Sequence, residues 1–411
     1  MVRDVLNVGV PNRSCDGRRG AKKVHKARPI QQGTVVGLVL AAGYSARMGA
    51  FKPLLPLDQQ SVIETAVGAF RRSGIIDVSV VIGHRADEMS PIVKNLGAKA
   101  ILNPDFMDGM YSSIKAGISA VSDRCDGCLL LPVDIPLVRP STIEALRRRY
   151  ALNLAPVLYP VFQGRRGHPP LIARQLFAEI LGDKGTDGLR GVLARYTALA
   201  ENVPVYDEGI HRDMDTPEDY AVLCAMARRR DIPGRAECEA ILADLQRNPN
   251  IIAHVRTVAA VANTLAANLL DANVPLNVDL ILAGSLLHDL AKGKSDHAVA
   301  GALLLERLGF PEVGPVVACH SDLNFFSGEL DERAIVFLAD KLVRGNSVVT
   351  IDERFQRSFQ RLASDPEGLA AAKGRYDTAM SIISAIEERA GKSMACILAS
   401  ISPQPILPEI D

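Results

Sequence analysis

The strongest constraint on the fold is a change of sequence pattern near residues 230–236. From Thr34 to about Ile232, short runs rich in Val, Leu and Ile alternate with segments of helical spacing. Such alternation of strand and helix patterns predicts a mostly parallel sheet covered by helices on both faces. Residues 235–390 instead carry Ala- and Leu-rich segments of helical spacing with little strand-like alternation. The sequence therefore predicts an α/β domain followed by an all-α domain.

The predicted strands of the first half are apolar runs without polar alternation, as expected for strands buried on both faces of a sheet. They span residues 35–43, 78–83, 98–103, 128–134, 155–162 and 202–206. The predicted helices between them lie near residues 61–73, 84–95, 110–122, 141–150 and 172–181. The predicted bounds are a tail at 1–33, an α/β domain at 34–232, a helical domain at 236–390 and a tail at 391–411.

The charge of the chain is balanced overall but uneven along its length. The 411 residues include 47 Lys and Arg and 47 Asp and Glu, which gives no general argument for nucleic-acid binding. Residues 1–33 are basic and without hydrophobic periodicity, so we expect a disordered tail, with a polyanion-binding arm as the alternative. The sequence has neither a signal-peptide pattern nor the roughly 20 apolar residues of a transmembrane helix. We therefore expect a cytoplasmic protein that binds neither membrane nor nucleic acid.

Cysteine usage argues against a redox or zinc site. Cys125 and Cys128 form a CxxC motif, but no second ligand pair follows at zinc spacing. Cys128 also begins an apolar run that we interpret as a strand. We therefore expect these thiols to be buried and reduced.

A glycine-containing loop follows the first predicted strand, in the segment LAAGYSARMGAFK from Leu40 to Lys52. Small residues let the backbone approach a ligand, and exposed amides in such a loop form an anion site. Arg47 and Lys52 add positive charge that suits phosphate groups. The segment matches neither GxGxxG nor the Walker pattern, and its alternative interpretation is a tight turn with solvent-facing cations.

Three aspartates are candidates for a Mg²⁺ site. Asp134 follows a buried strand, where an unpaired carboxylate is unfavourable and where open α/β sheets place their ligands. Asp213 and Asp215 precede Thr216–Pro217, which is a helix-start pattern, so the alternative is that one of them is an N-cap. Two carboxylates from distant segments can share Mg²⁺ with substrate phosphates.

Six segments in order resemble the nucleotidyltransferases of molybdenum-cofactor biosynthesis, the MobA-like family. They are residues 40–52, NPDFMDGMYSSIKAG (103–117), PVDIPL (132–137), RGHPPLI (166–172), GDKGTDGL (182–189) and DMDTPEDY (213–220). The resemblance covers about 35–225, and LAAG together with RGHP is closer to the cytidylyltransferase branch than to the guanylyltransferase branch. Thr186–Asp187–Gly188 stands where the family has a GAR-like run, which leaves the acceptor specificity open.

This resemblance implies a Rossmann-like sheet and a nucleotide site at its edge. Arg47 and Lys52 would hold the triphosphate and act in catalysis together with Asp134, and Asp134 and Asp215 would hold Mg²⁺. The residues that would contact the nucleotide are Leu40, Ala41, Ala42, Gly43, Ser45, Gly49, Gly109, Ser112 and Ser113.

The implied reaction transfers CMP from CTP to a molybdopterin-type acceptor and releases pyrophosphate. Gly167 and His168 would face the acceptor, although packing within a loop is an alternative role for His168. A sugar phosphate or alcohol phosphate is the alternative acceptor, because this fold serves many acceptors. A molybdoenzyme or its maturation chaperone is a further expected partner.

The helical half concentrates histidine and aspartate residues. Four of the eight histidines of the chain lie between residues 254 and 320. Imidazole and carboxylate are typical ligands of Mn, Fe and similar metals. A single such residue is more simply a hydrogen-bonded core residue, and Asp340 could pair with Lys341 or Arg344. The candidate metal ligands are His254, His288, Asp289, His297, His320 and Asp340.

Together these residues resemble the HD superfamily of metal-dependent phosphohydrolases, with the pattern H…HD…D, over about residues 250–345. His297 and His320 match ligands of a second metal in binuclear members. Ser321, however, stands where another histidine is common in the family. The resemblance therefore leaves open whether the site holds one metal ion or two. The implied activity is metal-dependent hydrolysis of an unidentified phosphate ester. Lys292 would stabilise phosphate charge, or would be a surface cation near a helix end. The overall prediction is a bifunctional enzyme, with a non-catalytic nucleotide sensor as the alternative for the helical domain.

Overall fold

Most strands lie in the first half of the chain. The computed structural model describes residues 33–45, 48–184, 186–246, 248–323, 326–399 and 401. The basic tail lies outside these residues. Within them the strands are β1 (Val35–Ala41), β2 (Pro56–Leu57), β3 (Gln60–Ser61), β4 (Val78–Ile82), β5 (Lys99–Leu102), β6 (Gly127–Pro132), β7 (Val157–Phe162), β8 (Arg165–Arg166), β9 (Leu171–Ala173), β10 (Glu201–Pro204), β11 (Val343–Arg344) and β12 (Ser347–Val348).

An eight-stranded, mostly parallel sheet organises the first half, which confirms the predicted α/β class. Its strand order is β10, β7, β9, β6, β1, β4 and β5, and β8 pairs with β7. Strand β1 lies in the middle and is parallel to both β4 and β6. Strand β9 is antiparallel to both of its neighbours. Because β1 and β6 run in the same direction, the segments that follow them lie at the same edge of the sheet.

Helices cover both faces of this sheet. Along β1, Val39 packs in a core with Phe70, whereas Leu38 packs in a second core with Ile118. This alternation is the period-two pattern of a strand between two helical layers. The helices of the first half are α1 (Val62–Arg72), α2 (Ala86–Asn95), α3 (Met110–Val121), α4 (Pro140–Leu152), α5 (Phe177–Gly182), α6 (Gly188–Ala194) and α7 (Pro217–Arg228).

The second half is largely helical, as the sequence predicts. Its two buried cores consist mainly of Leu, Ile, Val, Ala and Phe. No helix in the described part of the chain has the length and apolar character needed to cross a membrane. The helices of this half are α8 (Arg235–Leu245), α9 (Pro249–Asp271), α10 (Val278–Leu287), α11 (His297–Leu308), α12 (Val313–Cys319), α13 (Glu332–Lys341), α14 (Ile351–Arg361), α15 (Pro366–Ala390) and α16 (Met394–Ala399).

Two local predictions differ from the structure. The expected helix at 172–181 begins only at Phe177, because the apolar residues Leu171–Ala173 form β9 between β6 and β7. The expected C-terminal tail contains α16, in which Met394 and Ile397 are buried in the helical core. In both cases the local sequence pattern is weak, and contacts with residues distant in the sequence determine the secondary structure of the segment.

The two halves meet around the buried side chain of Arg139, which precedes α4. Its guanidinium lies 3.0 Å from Oε2 of the fully buried Glu237 in α8 and stacks on the ring of Phe310 at 4.6 Å. It also donates a hydrogen bond to the carbonyl oxygen of Arg230. These contacts join the α/β half to α8 and to the segment that connects the halves.

Candidate active sites

A cavity of about 310 Å³ opens at the edge of the sheet where β1 and β6 end. Nine residues that the sequence proposes for nucleotide binding or catalysis line it. They are Leu40, Ala41, Ala42, Gly43, Ser45, Lys52, Gly109, Ser113 and Asp134. The cavity therefore brings together residues that lie up to 94 positions apart in the sequence.

The loop after β1 folds back so that Lys52 reaches this cavity. Ser45 has a positive φ of 57°, and its Oγ accepts a hydrogen bond of 3.1 Å from the main-chain N–H of Lys52. Gly49 also has a positive φ, of 67°, but it is exposed and does not line the cavity. Arg47 lies outside the described residues, so its role stays a prediction.

The ammonium of Lys52 lies close to both aspartates proposed as Mg²⁺ ligands. Its Nζ is 2.9 Å from Oδ1 of Asp215 and 3.9 Å from Oδ2 of Asp134. Burial raises the pKa of Asp134 above its ordinary value, and the nearby ammonium of Lys52 partly opposes this increase. Both carboxylates therefore lie near one point of the site. Carboxylate oxygens are the ligands that Mg²⁺ prefers, so the two side chains could hold this ion together.

The N-cap of α7 is Thr216 rather than either preceding aspartate. Its hydroxyl accepts a hydrogen bond from the main-chain N–H of Asp219, and the Asp219 carboxylate accepts one from the main-chain N–H of Thr216. This capping box makes the N-cap interpretation of Asp213 or Asp215 wrong. Asp213 is exposed, whereas Asp215 contacts Lys52.

Asn103, which is not among the predicted nucleotide-binding residues, positions two of the proposed nucleotide-binding serines. Its buried side-chain amide donates hydrogen bonds of 2.9 Å to Ser112 Oγ and 3.0 Å to Ser113 Oγ. Ser113 lines the cavity, whereas the Ser112 hydroxyl also donates to the carbonyl oxygens of Asp105 and Gly109. Asn103 stands in the quoted NPDF segment, so the motif contained it, but nothing in the sequence indicated its contacts.

Gly167 and His168, proposed to face the acceptor, do not line the nucleotide cavity. A Cβ atom on Gly167 would lie 2.6 Å from Ile210, and the main-chain N–H of His168 donates to the Ile210 carbonyl at 3.0 Å. Burial lowers the pKa of His168, and its buried Nδ1 has no hydrogen-bond partner among the described residues. These contacts give Gly167 a packing role and leave acceptor binding by both residues as a prediction.

The CxxC motif carries two free, buried thiols, as predicted. Burial raises the pKa of Cys125 to about 11 and raises that of Cys128 further. Both thiols are therefore protonated near neutral pH, and a protonated, buried thiol is a poor nucleophile and metal ligand.

The second candidate site lies in the helical half, where the six predicted ligands converge from α9, α11 and α13 and from the residues that directly follow α10 and α12. His254, His288 and Asp289 form one group whose ligand atoms all lie within 4.8 Å of one another. Asp289, His297 and His320 form a second group of the same kind, so that Asp289 belongs to both. Asp340 Oδ1 lies 3.1 Å from His254 Nε2 and 3.6 Å from His288 Nε2. All six candidate ligands therefore surround one small volume.

The main chain orients three of the histidines as metal ligands. The Nδ1 atoms of His254, His288 and His320 lie 2.8, 2.8 and 2.6 Å from carbonyl oxygens. Because a carbonyl only accepts, each Nδ1 carries a proton, so the Nε2 atom of the neutral ring is the one available to a metal. These carbonyl oxygens belong to Gly345, Ser285 and Val317.

The environment of His288 suits a metal in particular. Its ring is fully buried, and burial lowers its pKa to about 4, so the imidazole is neutral near pH 7. Its Nε2 has no hydrogen-bond partner among the described residues, with Asp340 Oδ1 at 3.6 Å and Asp289 Oδ2 at 3.7 Å. A buried polar atom without a partner needs an explanation, and a metal ion held by His288, the neighbouring imidazoles and the carboxylates supplies one.

Two lysines lie against the carboxylates of this site. Lys292 Nζ is 3.0 Å from Asp289 Oδ2, so it is not merely a solvent-facing cation. Lys341, which the sequence offers only as an alternative partner of Asp340, donates to Asp340 Oδ2 at 2.8 Å and to the His320 carbonyl at 2.9 Å. Positive charge beside the cluster suits a phosphate ester.

Comparison with known proteins finds a family match in each half of the chain. The family described as "MobA-like NTP transferase domain" matches residues 37–201, and the family described as "HD domain" matches residues 251–345. The molybdenum cofactor cytidylyltransferase of Escherichia coli (strain K12) is 29% identical over 189 residues, which cover 44% of this chain and 92% of that protein. The nicotine blue oxidoreductase of Paenarthrobacter nicotinovorans is 28% identical over 191 residues, which cover 45% of this chain and 93% of that protein.

Among solved structures, Rv0371c from Mycobacterium tuberculosis H37Rv is 24% identical and has a TM-score of 0.41, covering 47% of this chain and 97% of that chain. The two family matches fall on the two halves in which the candidate sites were located. The chain therefore joins a MobA-like NTP transferase domain to a C-terminal HD domain.

Proposed function

We propose that the N-terminal domain transfers CMP from CTP to a molybdopterin-type acceptor in the presence of Mg²⁺ and releases pyrophosphate. The observation that carries this proposal is that Asp134 and Asp215 both approach Lys52, and that Lys52 and Asp134 line the cavity beside the loop after β1. The name of the relative from Escherichia coli supports CTP and the acceptor. Another relative of similar identity bears an oxidoreductase name. The proposal therefore rests on the charged groups of the site more than on sequence similarity.

In the proposed reaction, a phosphate oxygen of the acceptor attacks the α-phosphorus of CTP in line. The bond between the α-phosphorus and the bridging oxygen breaks, and pyrophosphate leaves with that oxygen. Lys52 and the main-chain amides of the loop hold the triphosphate and offset the charge that develops on its oxygens. Asp134 and Asp215 would hold Mg²⁺, which would neutralise further phosphate charge when bound.

Detection of the product tests this reaction. The full chain is incubated with Mg²⁺, CTP and molybdopterin, and the cytosine dinucleotide is measured by mass spectrometry. We expect product with the wild type and with Asp123→Ala, which changes an exposed aspartate outside the cavity. We expect none with Asp134→Ala, and equal product formation by the wild type and Asp134→Ala would overturn the proposal.

We further propose that the HD domain hydrolyses a phosphate ester with two Mn or Fe ions. The carrying observation is that Asp289 belongs to both ligand groups while His288 Nε2 has no hydrogen-bond partner among the described residues. Such ions, when bound, would lower the pKa of a coordinated water and polarise the phosphate. The chain itself fixes the imidazoles through their Nδ1 protons and places Lys292 beside the cluster.

Metal content and turnover together test the hydrolase proposal. The chain is loaded with Mn²⁺, desalted and assayed for metal and for hydrolysis of a generic phosphate ester. We expect two ions per wild-type chain, one in His297→Ala and none in Asp289→Ala, with His211→Ala as the control outside the cluster. Nucleotide binding without turnover would instead support the regulatory sensor.

The remaining expectations belong to the same proposal. We propose domain bounds near 34–232 and 236–390, consistent with the end of α7 at Arg228 and the start of α8 at Arg235. We also propose a cytoplasmic location and a molybdoenzyme or its maturation chaperone as partner. Mapping the fragments from limited proteolysis would test the bounds.

A further inference from the structure

A cationic cavity of about 270 Å³ lies beside the HD ligand cluster. His254, His320 and Asp340 contribute to its lining from the cluster itself. Other parts of its lining come from α14 and α15, which lie beyond the residues 251–345 that match the HD family. The cavity is therefore completed by a helical pair that the family match does not include.

Positive charge dominates this cavity. Five cationic side chains line it, whereas Asp340 is the one carboxylate among its described lining residues. Two of the five already contact carboxylates of the cluster, as described above for Lys292 and Lys341. The other three are arginines of the two added helices, namely Arg354, Arg361 and Arg375.

The arginines leave hydrogen-bonding capacity for a ligand. Arg354 Nε is buried and has no hydrogen-bond partner among the described residues. Arg375 contacts Asp322 only through one long interaction of 3.4 Å, and the Asp322 side chain is 51% exposed. A guanidinium presents five donors in a planar fork that matches phosphate oxygens. The cavity therefore offers unused donors of the type that binds phosphate.

The arginines form a wall that is longer than one phosphate group. Arg354, Ser358 and Arg361 lie at positions i, i+4 and i+7 of α14, so they share one face of the helix. At 1.5 Å per residue, Arg354 and Arg361 are separated by about 10 Å along the helix axis. Arg375 adds a third guanidinium from α15. This spacing can contact successive phosphate groups of one ligand.

Aromatic packing holds this wall in place. The rings of Phe355 and Phe359 in α14 both lie 5.8 Å from the ring of Tyr376 in α15. The Tyr376 hydroxyl lies 2.9 Å from Oδ1 of Asp352, to which it donates a hydrogen bond. These contacts fix the two helices against each other, so the arginines are presented by a rigid pair rather than by a loose tail.

We infer that α14 and α15 form the phosphate-binding wall of the HD site and that its substrate is an ester of pyrophosphate or triphosphate rather than a simple phosphomonoester. This inference rests on the proposed hydrolase function. Hydrolysis breaks one P–O bond of the substrate, and water supplies the oxygen that joins phosphorus and the proton that the leaving oxygen receives. Phosphate groups that are not attacked lie against the arginines.

Binding of inorganic probes tests the wall without requiring turnover. The full chain carries Lys52→Ala, so that the nucleotide site contributes little, and is loaded with Mn²⁺. Calorimetry then compares tripolyphosphate with orthophosphate. We expect tripolyphosphate to bind at least about tenfold more tightly, because additional charge-assisted hydrogen bonds form.

Arginine variants in the same background assign this preference to the wall. Arg361→Ala and Arg375→Ala should each weaken tripolyphosphate binding by about tenfold while changing orthophosphate binding less than about twofold. Lysine at the same positions should restore part of the loss, because it keeps the charge without the fork. The matched controls are Arg357→Ala in α14 and Lys373→Ala in α15, both exposed and outside the lining.

The outcomes separate this inference from the hydrolase proposal. Equal affinity for the two probes, or equal losses in the arginine variants and their controls, would overturn the inference even if the wild type hydrolyses phosphate esters. Arginine-dependent binding of tripolyphosphate by a chain that hydrolyses neither phosphomonoesters nor nucleoside diphosphates or triphosphates would support the wall and reject the hydrolase proposal. Hydrolysis of phosphomonoesters alone would overturn the inferred substrate class.

Discussion

Lys52 Nζ lies 2.9 Å from Asp215 Oδ1, although 163 positions separate the two residues. The contact connects the loop after β1 with the segment before α7 at one edge of the sheet. Asp134, which follows β6, has its Oδ2 3.9 Å from the same ammonium. Three distant segments are thus joined by one buried cation at the proposed nucleotide site.

The first prediction concerns Lys52. Lys52→Ala should lower the rate of nucleotidyl transfer by about 10²–10³-fold, as for the loss of a preorganised charge in other active sites. It should also raise the pKa of Asp134, because burial raises that pKa and Lys52 opposes the increase. The residual activity should therefore begin to fall at a higher pH as the solution is acidified. The measurement is the pH profile of pyrophosphate release.

Lys99→Ala is the control for this variant. Lys99 is 58% exposed and pairs with Asp77 on the surface, so its removal should leave both the rate and the profile unchanged. A profile for Lys52→Ala that keeps the wild-type acid limb would contradict the proposed coupling between Lys52 and Asp134.

The second prediction separates packing from acceptor binding at Gly167. A Cβ atom there would lie 2.6 Å from Ile210, so Gly167→Ala should lower the free energy of unfolding by about 1–3 kcal/mol. Gly182→Ala is the control, because its Cβ would meet no atom within 4 Å. Denaturant unfolding measures both variants. Unchanged stability combined with a higher KM for the acceptor would favour the acceptor-binding role instead.

The third prediction concerns the contact between the two halves. Arg139→Ala leaves the carboxylate of Glu237 buried without its cation, which should lower the free energy of unfolding by about 3–5 kcal/mol. It should also increase proteolysis near residues 229–234. Arg148→Ala, which breaks an exposed pair on α4, should change stability by less than about 1 kcal/mol. Equal stability of the two variants would show that the Arg139 contact does not join the halves.

The fourth prediction concerns the CxxC thiols. Burial holds the pKa of Cys125 at about 11, so Cys125 and Cys128 should resist alkylation by iodoacetamide in the native chain at pH 7. Cys396 is exposed and should react. Mass spectrometry of the labelled peptides gives the answer. Rapid labelling of Cys125, or a disulfide between the two thiols, would contradict a structural role.

Much of the fold follows from local pattern in the sequence. The apolar runs that become β1, β4 and β6 are long and buried on both faces, so their strand character is visible without any partner. Strand β9 has only three residues and forms by pairing with both β6 and β7, so no local pattern predicts it. The same holds for α16, whose burial depends on helices that precede it.

The residues of the candidate sites also fall into those that the sequence predicts and those that it does not. His254, His288–Asp289 and Asp340 were predictable because their spacing forms a motif, and the structure brings them together. Asn103 was not selected because its contacts with two serines form only in the folded chain. The arginines of α14 and α15 were also missed, because a basic helix face in a sequence cannot be told from a solvated surface.

The most direct test of the central claim is nucleotide selectivity. The full chain is incubated with Mg²⁺, molybdopterin and each of the four nucleoside triphosphates in turn, and pyrophosphate release is measured with Asp134→Ala as the control. We predict release with CTP alone and its loss in the variant. Release with another nucleoside triphosphate, or release only when a sugar phosphate replaces molybdopterin, would contradict the proposed cytidylyl transfer.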